Sequence, residues 1–197
     1  MKKKIIITGG LGYIGTELCK LYSGVSWNNK IVVIDNRFVS ERVNQIRNWN
    51  MEFVHGDILD KDLISKYCKG ADVVHHLAGI TEVPRTKSES TEEKDEKIKL
   101  VAQEGTQNIL DVISDKCKII FPSTHVVYEG IEKVKNNISE EEDVKPILSY
   151  SNSKAINEKQ LKKSGKNYVI LRLGSVYGYS TDTARIDIMP NLFSKIS

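Results

Sequence analysis

Residues 8–15 read Thr-Gly-Gly-Leu-Gly-Tyr-Ile-Gly, TGGLGYIG, and the architecture of the whole chain turns on how that stretch is read. It directly follows the apolar run KIIIT (4–8) and directly precedes the helix-like TELCKLY (16–22). Gly9, Gly12 and Gly15 therefore sit where a strand becomes a helix. Glycine permits a tight turn and a close approach of backbone to a bound group, and a helix N-terminus presents free N–H groups and partial positive charge to an anion. On this stretch alone, packing punctuation and a phosphate cradle are both open, and the rest of the chain decides between them.

Outward from the glycines, β-branched runs recur as KIVVID at 30–35, MEFVHG at 51–56, ADVVHHLAG at 71–79, CKIIFPST at 117–124 and NYVILRLG at 167–174. Such runs fit strands buried on both faces, and helix-like stretches at 13–22, 61–68, 94–113 and 150–163 give a βαβ rhythm. With right-handed crossovers this predicts an α/β, doubly wound parallel sheet of the Rossmann type. The dinucleotide fingerprint also needs an acidic residue about 20 positions beyond the glycines. Asp35 ends the second strand 20 residues after Gly15 (35 − 15). A carboxylate there accepts from a ribose 2′-hydroxyl and repels a 2′-phosphate, so NAD is the expected cofactor, with Arg37 keeping NADP as the lesser alternative. FAD shares this type of cradle, so the glycines alone do not choose among cofactors.

Composition narrows the class. The 197 residues, 40% hydrophobic and 28% charged, suit one well-buried globular domain with the beginning of a second. The 29 basic and 26 acidic residues are interspersed, for a net charge of +3, which argues against a nucleic-acid partner. No run approaches ~18 apolar residues, and the N-terminus enters a strand pattern at once, so the expectation is a cytoplasmic protein without membrane association. Cys19, Cys68 and Cys117 lack metal-ligand spacing and read as small core residues. His75 and His76 read as strand residues, and no metal site is expected. The charged segment 85–97 reads as a solvated loop and helix start, and 129–147 as a polar connection of the kind that borders a ligand at the carboxyl ends of strands.

A second constellation lies near the C-terminus. In YSNSK, Tyr150 and Lys154 are i, i+4 on a helix-like stretch and share one face. A nearby ammonium favours phenolate over phenol, so the tyrosine becomes a usable general base. Upstream, FPSTHVVY places Ser123 and Thr124 at the carboxyl end of a strand, where hydroxyls face the crevice of a doubly wound sheet.

These residues together resemble the extended short-chain dehydrogenase/reductase family, in its NAD-dependent sugar-nucleotide epimerase/dehydratase group. TGGLGYIG, VVIDN, HGDI, HHLAGI, EGTQNIL, FPSTHVVY, YSNSK and LRLGSVYG stand in the family's order over almost the whole chain. The resemblance implies that Gly9, Gly12, Tyr13, Ile14 and Gly15 wrap the pyrophosphate and that Asp35 and Asn36 meet the adenosine ribose. It implies adenine contacts at Asp57 and Ile58, and a wall along the cofactor from Leu77, Ala78 and Gly79. Tyr150 is similar to the family's catalytic base. Lys154 is similar to the partner that lowers the tyrosine's pKa and binds the nicotinamide ribose. Thr124 resembles the hydroxyl that bonds the reacting sugar oxygen, and the adjacent Ser123 is a second candidate.

Several positions depart from the family pattern. Its 4,6-dehydratases carry an Asp-Glu pair after the threonine and its sugar-acid decarboxylases a Glu two residues after it, whereas this chain has His125 and Val126. Ala102 and Ser175 stand where the family usually has asparagines, the second of them a frequent contact to the sugar-nucleotide phosphate. The resemblance further implies an NAD-binding unit over 1–180 and, over 181–197, the start of a substrate region that is largely missing. It implies a homodimer through the helices near 94–113 and 150–163. The expected activity is an NAD-dependent epimerase of a nucleotide-activated sugar, similar to UDP-glucose 4-epimerase. The alternatives are a one-way reductase or dehydrogenase, and a cofactor-binding module without turnover.

Overall fold

The computed structural model describes residues 2–81, 89–178, 180 and 190. The apolar runs become strands β1 (Lys4–Thr8), β2 (Lys30–Asp35), β3 (Glu52–His55), β4 (Val73–His76), β5 (Lys118–Thr124) and β6 (Asn167–Leu173). Between them lie α1 (Tyr13–Ser23), α2 (Ser40–Asn48), α3 (Lys61–Cys68), α4 (Glu92–Val112) and α5 (Ser149–Lys163). All adjacent strand pairs are parallel, and the sheet order is β3-β2-β1-β4-β5-β6. That order reverses direction between β1 and β4, which opens a crevice beyond their carboxyl ends.

The period of two along each strand splits the core into two layers. Ile6, Val32, Ile34, Val74, Ile119 and Phe121 pack on one face against Ile64, Ile109, Leu110 and Leu161 from α3, α4 and α5. Ile5, Ile7, Ile31 and Val33 pack on the other against Cys19, Val43 and Ile46 from α1 and α2. Each such side chain, fully buried, contributes about 1.5–3 kcal/mol relative to exposure, so β-branched runs favour this sandwich over any arrangement that leaves one face wet. The three cysteines are buried in these layers, and burial pushes their thiols up to about 12 for Cys19 and Cys68 and about 11 for Cys117.

Two expectations change. Helix α2 was not foreseen by the helix-like stretches. Strand β6, expected to be buried on both faces, leaves Tyr168, Val169 and Leu171 exposed at the edge of the sheet. Of the charged segment 85–97, residues 85–88 lie outside the described residues, as does almost all of 181–197. Among the described residues no helix is long and apolar enough to cross a membrane.

Candidate active site

The glycine loop leaves β1 through Gly9, whose φ of +71° lies in the left-handed region. A Cβ at Gly9 would stand 2.7 Å from the Ala78 nitrogen, so only glycine lets this turn lie against the end of β4. The loop is held by Gly9 N–H donating to the Ile34 carbonyl (2.7 Å) and by Gly12 N–H donating to the Gly9 carbonyl (3.1 Å). Asp35 is buried here and braces the loop directly. Its Oδ2 accepts from Leu11 N–H (2.9 Å), and its Oδ1 accepts from Arg37 N–H (2.9 Å) and Arg37 Nε (3.3 Å). Arg42 of α2 donates to the Leu11 carbonyl at 2.5 Å. The carboxylate picked out for the ribose is thus also the strut of the turn.

Asn36 donates to Asp57 Oδ2 (2.9 Å), joining the ends of β2 and β3, while Asp57 Oδ1 accepts from Leu59 N–H (2.9 Å). Ile58 is buried in the core, its side chain filling the space over Gly105, and its carbonyl accepts from Asn108 Nδ2 (3.0 Å). Tyr13 points its hydroxyl to the Gly178 carbonyl, tying α1 to the segment after β6, and Ile14 is exposed. Leu77 N–H and Ala78 N–H bond the Thr8 carbonyl (3.1 Å) and Thr8 Oγ1 (3.2 Å), which lays this stretch beside the glycine loop, with Gly79 exposed beyond it.

Beneath this wall runs a buried polar chain that motif reading misses. Thr8 Oγ1 shares a hydrogen bond with His76 Nδ1 (2.9 Å), His76 Nε2 with Thr106 Oγ1 (3.0 Å), and Asn157 Nδ2 donates to Thr106 Oγ1 (2.9 Å). Burial and the nearby Lys154 ammonium push the His76 imidazole down to about 3, so the ring is neutral. Asn157 also donates to the Ala102 backbone carbonyl at 2.8 Å, so α5 brings a carboxamide against the helix turn where this chain departs from the family pattern. A cavity of about 20 Å³ lies between Ala78, Ala102, Thr106, Lys154 and Asn157, which is room for one water.

Tyr150 and Lys154 lie on the first two turns of α5. Lys154 Nζ donates to the Pro122 carbonyl (2.9 Å) and lies 4.6 Å from the Phe121 ring centroid and 5.7 Å from that of Tyr150. Burial pushes this amine down to about 8. The two adjacent hydroxyls of β5 part company. Ser123 Oγ donates to Glu158 Oε1 (2.6 Å), on the side of the sheet that α5 covers. Thr124 Oγ1 accepts from Val126 N–H (3.3 Å) at the strand's carboxyl end, where the chain turns into the 3-10 segment His125–Tyr128. His125 Nδ1 approaches the Leu173 carbonyl (3.1 Å), and Ser175 is exposed beyond β6.

Three acidic groups around α5 were not singled out by any motif. Glu158 pairs with Arg172 of β6 through two contacts (Nη2 to Oε2 2.7 Å, Nε to Oε1 3.0 Å). Burial alone would raise its carboxyl, but the Arg172 and Ser123 hydrogen bonds bring it below the usual range. Glu129 Oε1 accepts from Ile147 N–H (2.6 Å), Leu148 N–H (2.7 Å) and the Ser151 hydroxyl. Asp95 of α4 accepts from the Ser149 hydroxyl and from Ser90 Oγ (2.6 Å), and both bonds lower its pKa.

A 3-2-1-4-5-6 parallel sheet with a glycine turn at the switch point and a Tyr–Lys pair on α5 defines a dinucleotide-dependent α/β enzyme class. A sequence model of the NAD dependent epimerase/dehydratase family matches residues 5–197, and the chain belongs to that family. It is 29% identical to a dTDP-D-glucose 4,6-dehydratase of Dictyostelium discoideum, over 89% of this chain and 44% of that protein. It is 34% identical to a CDP-paratose 2-epimerase of Salmonella typhi, over 70% of this chain and 41% of that one. The structure of a UDP-glucose 4-epimerase from Brucella ovis in complex with NAD superimposes with a TM-score of 0.71 at 30% identity, covering 94% of this chain and 54% of the other. The chain thus spans about half the length of the proteins it matches.

Proposed function

We propose that this chain carries the NAD site and the proton-handling residues of an epimerase acting on a nucleotide-activated sugar. The single observation behind the chemistry is Lys154, an amine buried beside the Tyr150 ring and pushed down to about 8, anchored to the same strand end that carries Thr124. The crevice also suits the cofactor. A Cβ at Gly79 meets nothing within 4 Å, and the Asp35 carboxylate stands at the end of β2. Gly9, Gly12 and Gly15 with the α1 N-terminus would hold the pyrophosphate, Asp35 and Asn36 the adenosine ribose, and Asp57 with the Ile58 backbone the adenine. Bound NAD supplies reversible hydride acceptance.

In this reading Tyr150 as phenolate takes the proton of a sugar hydroxyl and later returns it. Lys154 stabilises the phenolate and holds the nicotinamide ribose. Thr124 orients the sugar oxygen, and Ser123, occupied by Glu158, supports α5 instead. Epimerisation is preferred to 4,6-elimination because His125 and Val126 follow Thr124, and an isopropyl group can serve as neither acid nor base. Ser175 and a homodimer through α4 and α5 remain parts of the same proposal. The test is a screen of nucleotide sugars, with NAD present, for a product of inverted configuration. Tyr150→Phe is expected to cut turnover by ~10²–10⁴-fold while NAD still binds. Undiminished turnover in that variant would remove Tyr150 from the mechanism, and net NADH accumulation would favour the one-way dehydrogenase.

A further inference from the structure

Helix α5 begins without a capping side chain of its own, because its N-cap is Leu148. What takes that place is remote. The segment 130–145 is pinned closed by Gly130 N–H to the Lys145 carbonyl and Lys145 N–H to the Val127 carbonyl, both 2.8 Å. This brings Glu129 under the entry to the helix, where one carboxylate oxygen gathers Ile147 N–H, Leu148 N–H and the Ser151 hydroxyl. From the neighbouring helix Asp95 takes the Ser149 hydroxyl. Tyr150 lies between Ser149 and Ser151. Successive helical residues point ~100° apart, so the two tethered serines straddle the tyrosine around the helix axis.

We propose that Glu129, with Asp95 as its counterpart, is a positioning residue for Tyr150: the two carboxylates clamp the first turn of α5 on either side of the tyrosine and fix the direction of its ring. A single tether would restrain rotation of the turn about its axis from one side only. Two tethers that flank the tyrosine remove that rotation, and Glu129 fixes the entry of the chain as well. The bonds are charge-assisted, the kind strong enough to hold a helix end in a partly exposed setting. The inference rests on Tyr150 being the proton-handling group. Its structural content is testable without turnover.

The experiment is NMR of the full chain carrying ¹³Cζ-tyrosine, with the Tyr150 signal among the eight tyrosines identified by its loss in Tyr150→Phe. Glu129→Ala is expected to move and broaden the Tyr150 signal toward that of an unstructured tyrosine while the other signals stay in place. Glu129→Gln, whose amide oxygen still accepts from Ile147 and Leu148, is expected to restore it. Ser149→Ala and Ser151→Ala, each removing one tether, should give smaller shifts. An unchanged Tyr150 signal in Glu129→Ala overturns the proposal. If that variant does not fold, wild-type signals in both serine variants overturn it. A displaced Tyr150 signal combined with undiminished turnover in Tyr150→Phe would keep the clamp and defeat the catalytic reading instead.

Discussion

The three glycines of the opening turn should separate under substitution by alanine, because the structure gives them different neighbours. At Gly15 an added Cβ would stand 2.3 Å from the Gly9 carbonyl oxygen and 2.7 Å from Gly10 Cα, both backbone atoms of the loop itself. Overpacking of that kind costs about 1–3 kcal/mol or more, against which alanine regains about 1 kcal/mol of helix propensity. At Gly12, φ is −76° and the nearest atoms would be the Gly9 oxygen at 3.2 Å and Arg37 Nη2 at 3.7 Å. Alanine there loses ~1 kcal/mol as an N-cap and recovers ~0.4–1 kcal/mol from a stiffer unfolded chain, so the net change in stability is close to zero. On the proposed reading, however, a methyl group on this N-cap would meet the pyrophosphate held by the helix N-terminus. Gly12→Ala is therefore expected to keep the wild-type melting temperature within ~4 °C and to weaken NAD binding by ~10–100-fold, or ~1.4–2.7 kcal/mol. Gly15→Ala should lower the melting temperature first. Thermal denaturation together with calorimetric titration of NAD reads both quantities. If Gly12→Ala melts as low as Gly15→Ala and binds NAD as well as wild type, the glycines are packing devices and the cradle reading fails.

Two further outcomes concern buried charge. Lys154 titrates near 8 in the folded protein against 10.5 ordinarily, so the unfolded chain holds the extra proton between those values and stability rises with pH through that window. Compared with Lys154→Met, the wild type should gain ~3 kcal/mol between pH 7 and pH 10.5 in urea unfolding, and a difference that stays flat with pH would refute the buried-amine assignment. Arg172→Met strands the carboxylate of Glu158, and the pair is 9% and 3% exposed, so a loss of ~3–5 kcal/mol at pH 7 is expected. Because Glu158 is held below its ordinary value, that advantage exists above the unfolded pKa and disappears as pH falls through the folded one. The deficit of Arg172→Met should accordingly shrink in acid, and a pH-independent deficit would count against the ion pair.

The strands could be placed from the chain alone because β-branched runs carry burial in their own composition. KIIIT and KIVVID coincide with β1 and β2 residue for residue. The run at 71–79 stops pairing after His76, since Leu77, Ala78 and Gly79 leave the ladder to follow the glycine loop. Helix α2 escaped notice because its buried residues are Val43 and Ile46 alone, and two apolar positions in nine residues make no readable period. Strand β6 was misjudged for a different reason. NYVILRL is as apolar as its neighbours, but whether its two faces are covered depends on what packs on them at the edge of the sheet, which no local pattern records.

At the site, a nearby pair such as Tyr150 and Lys154 is visible because helical spacing makes it a neighbour in space as well as in sequence. The choice between Ser123 and Thr124 is half visible: adjacent strand residues must face opposite sides, and Phe121, two positions before Ser123, packs with α5's Leu161 in one core layer. That parity sends Ser123 to Glu158 and turns Thr124 to the other face, where the proposed function needs it. The carboxylates around α5 had no such signal. Asp95 belongs to a segment read as solvated charge and Glu129 to one read as a polar connection, and both readings fit their neighbours well. What distinguishes these two acids is which hydroxyls and N–H groups the fold brings against them. A charged segment therefore predicts the average environment of its residues, and the residue that matters in it is the exception that a tertiary contact selects.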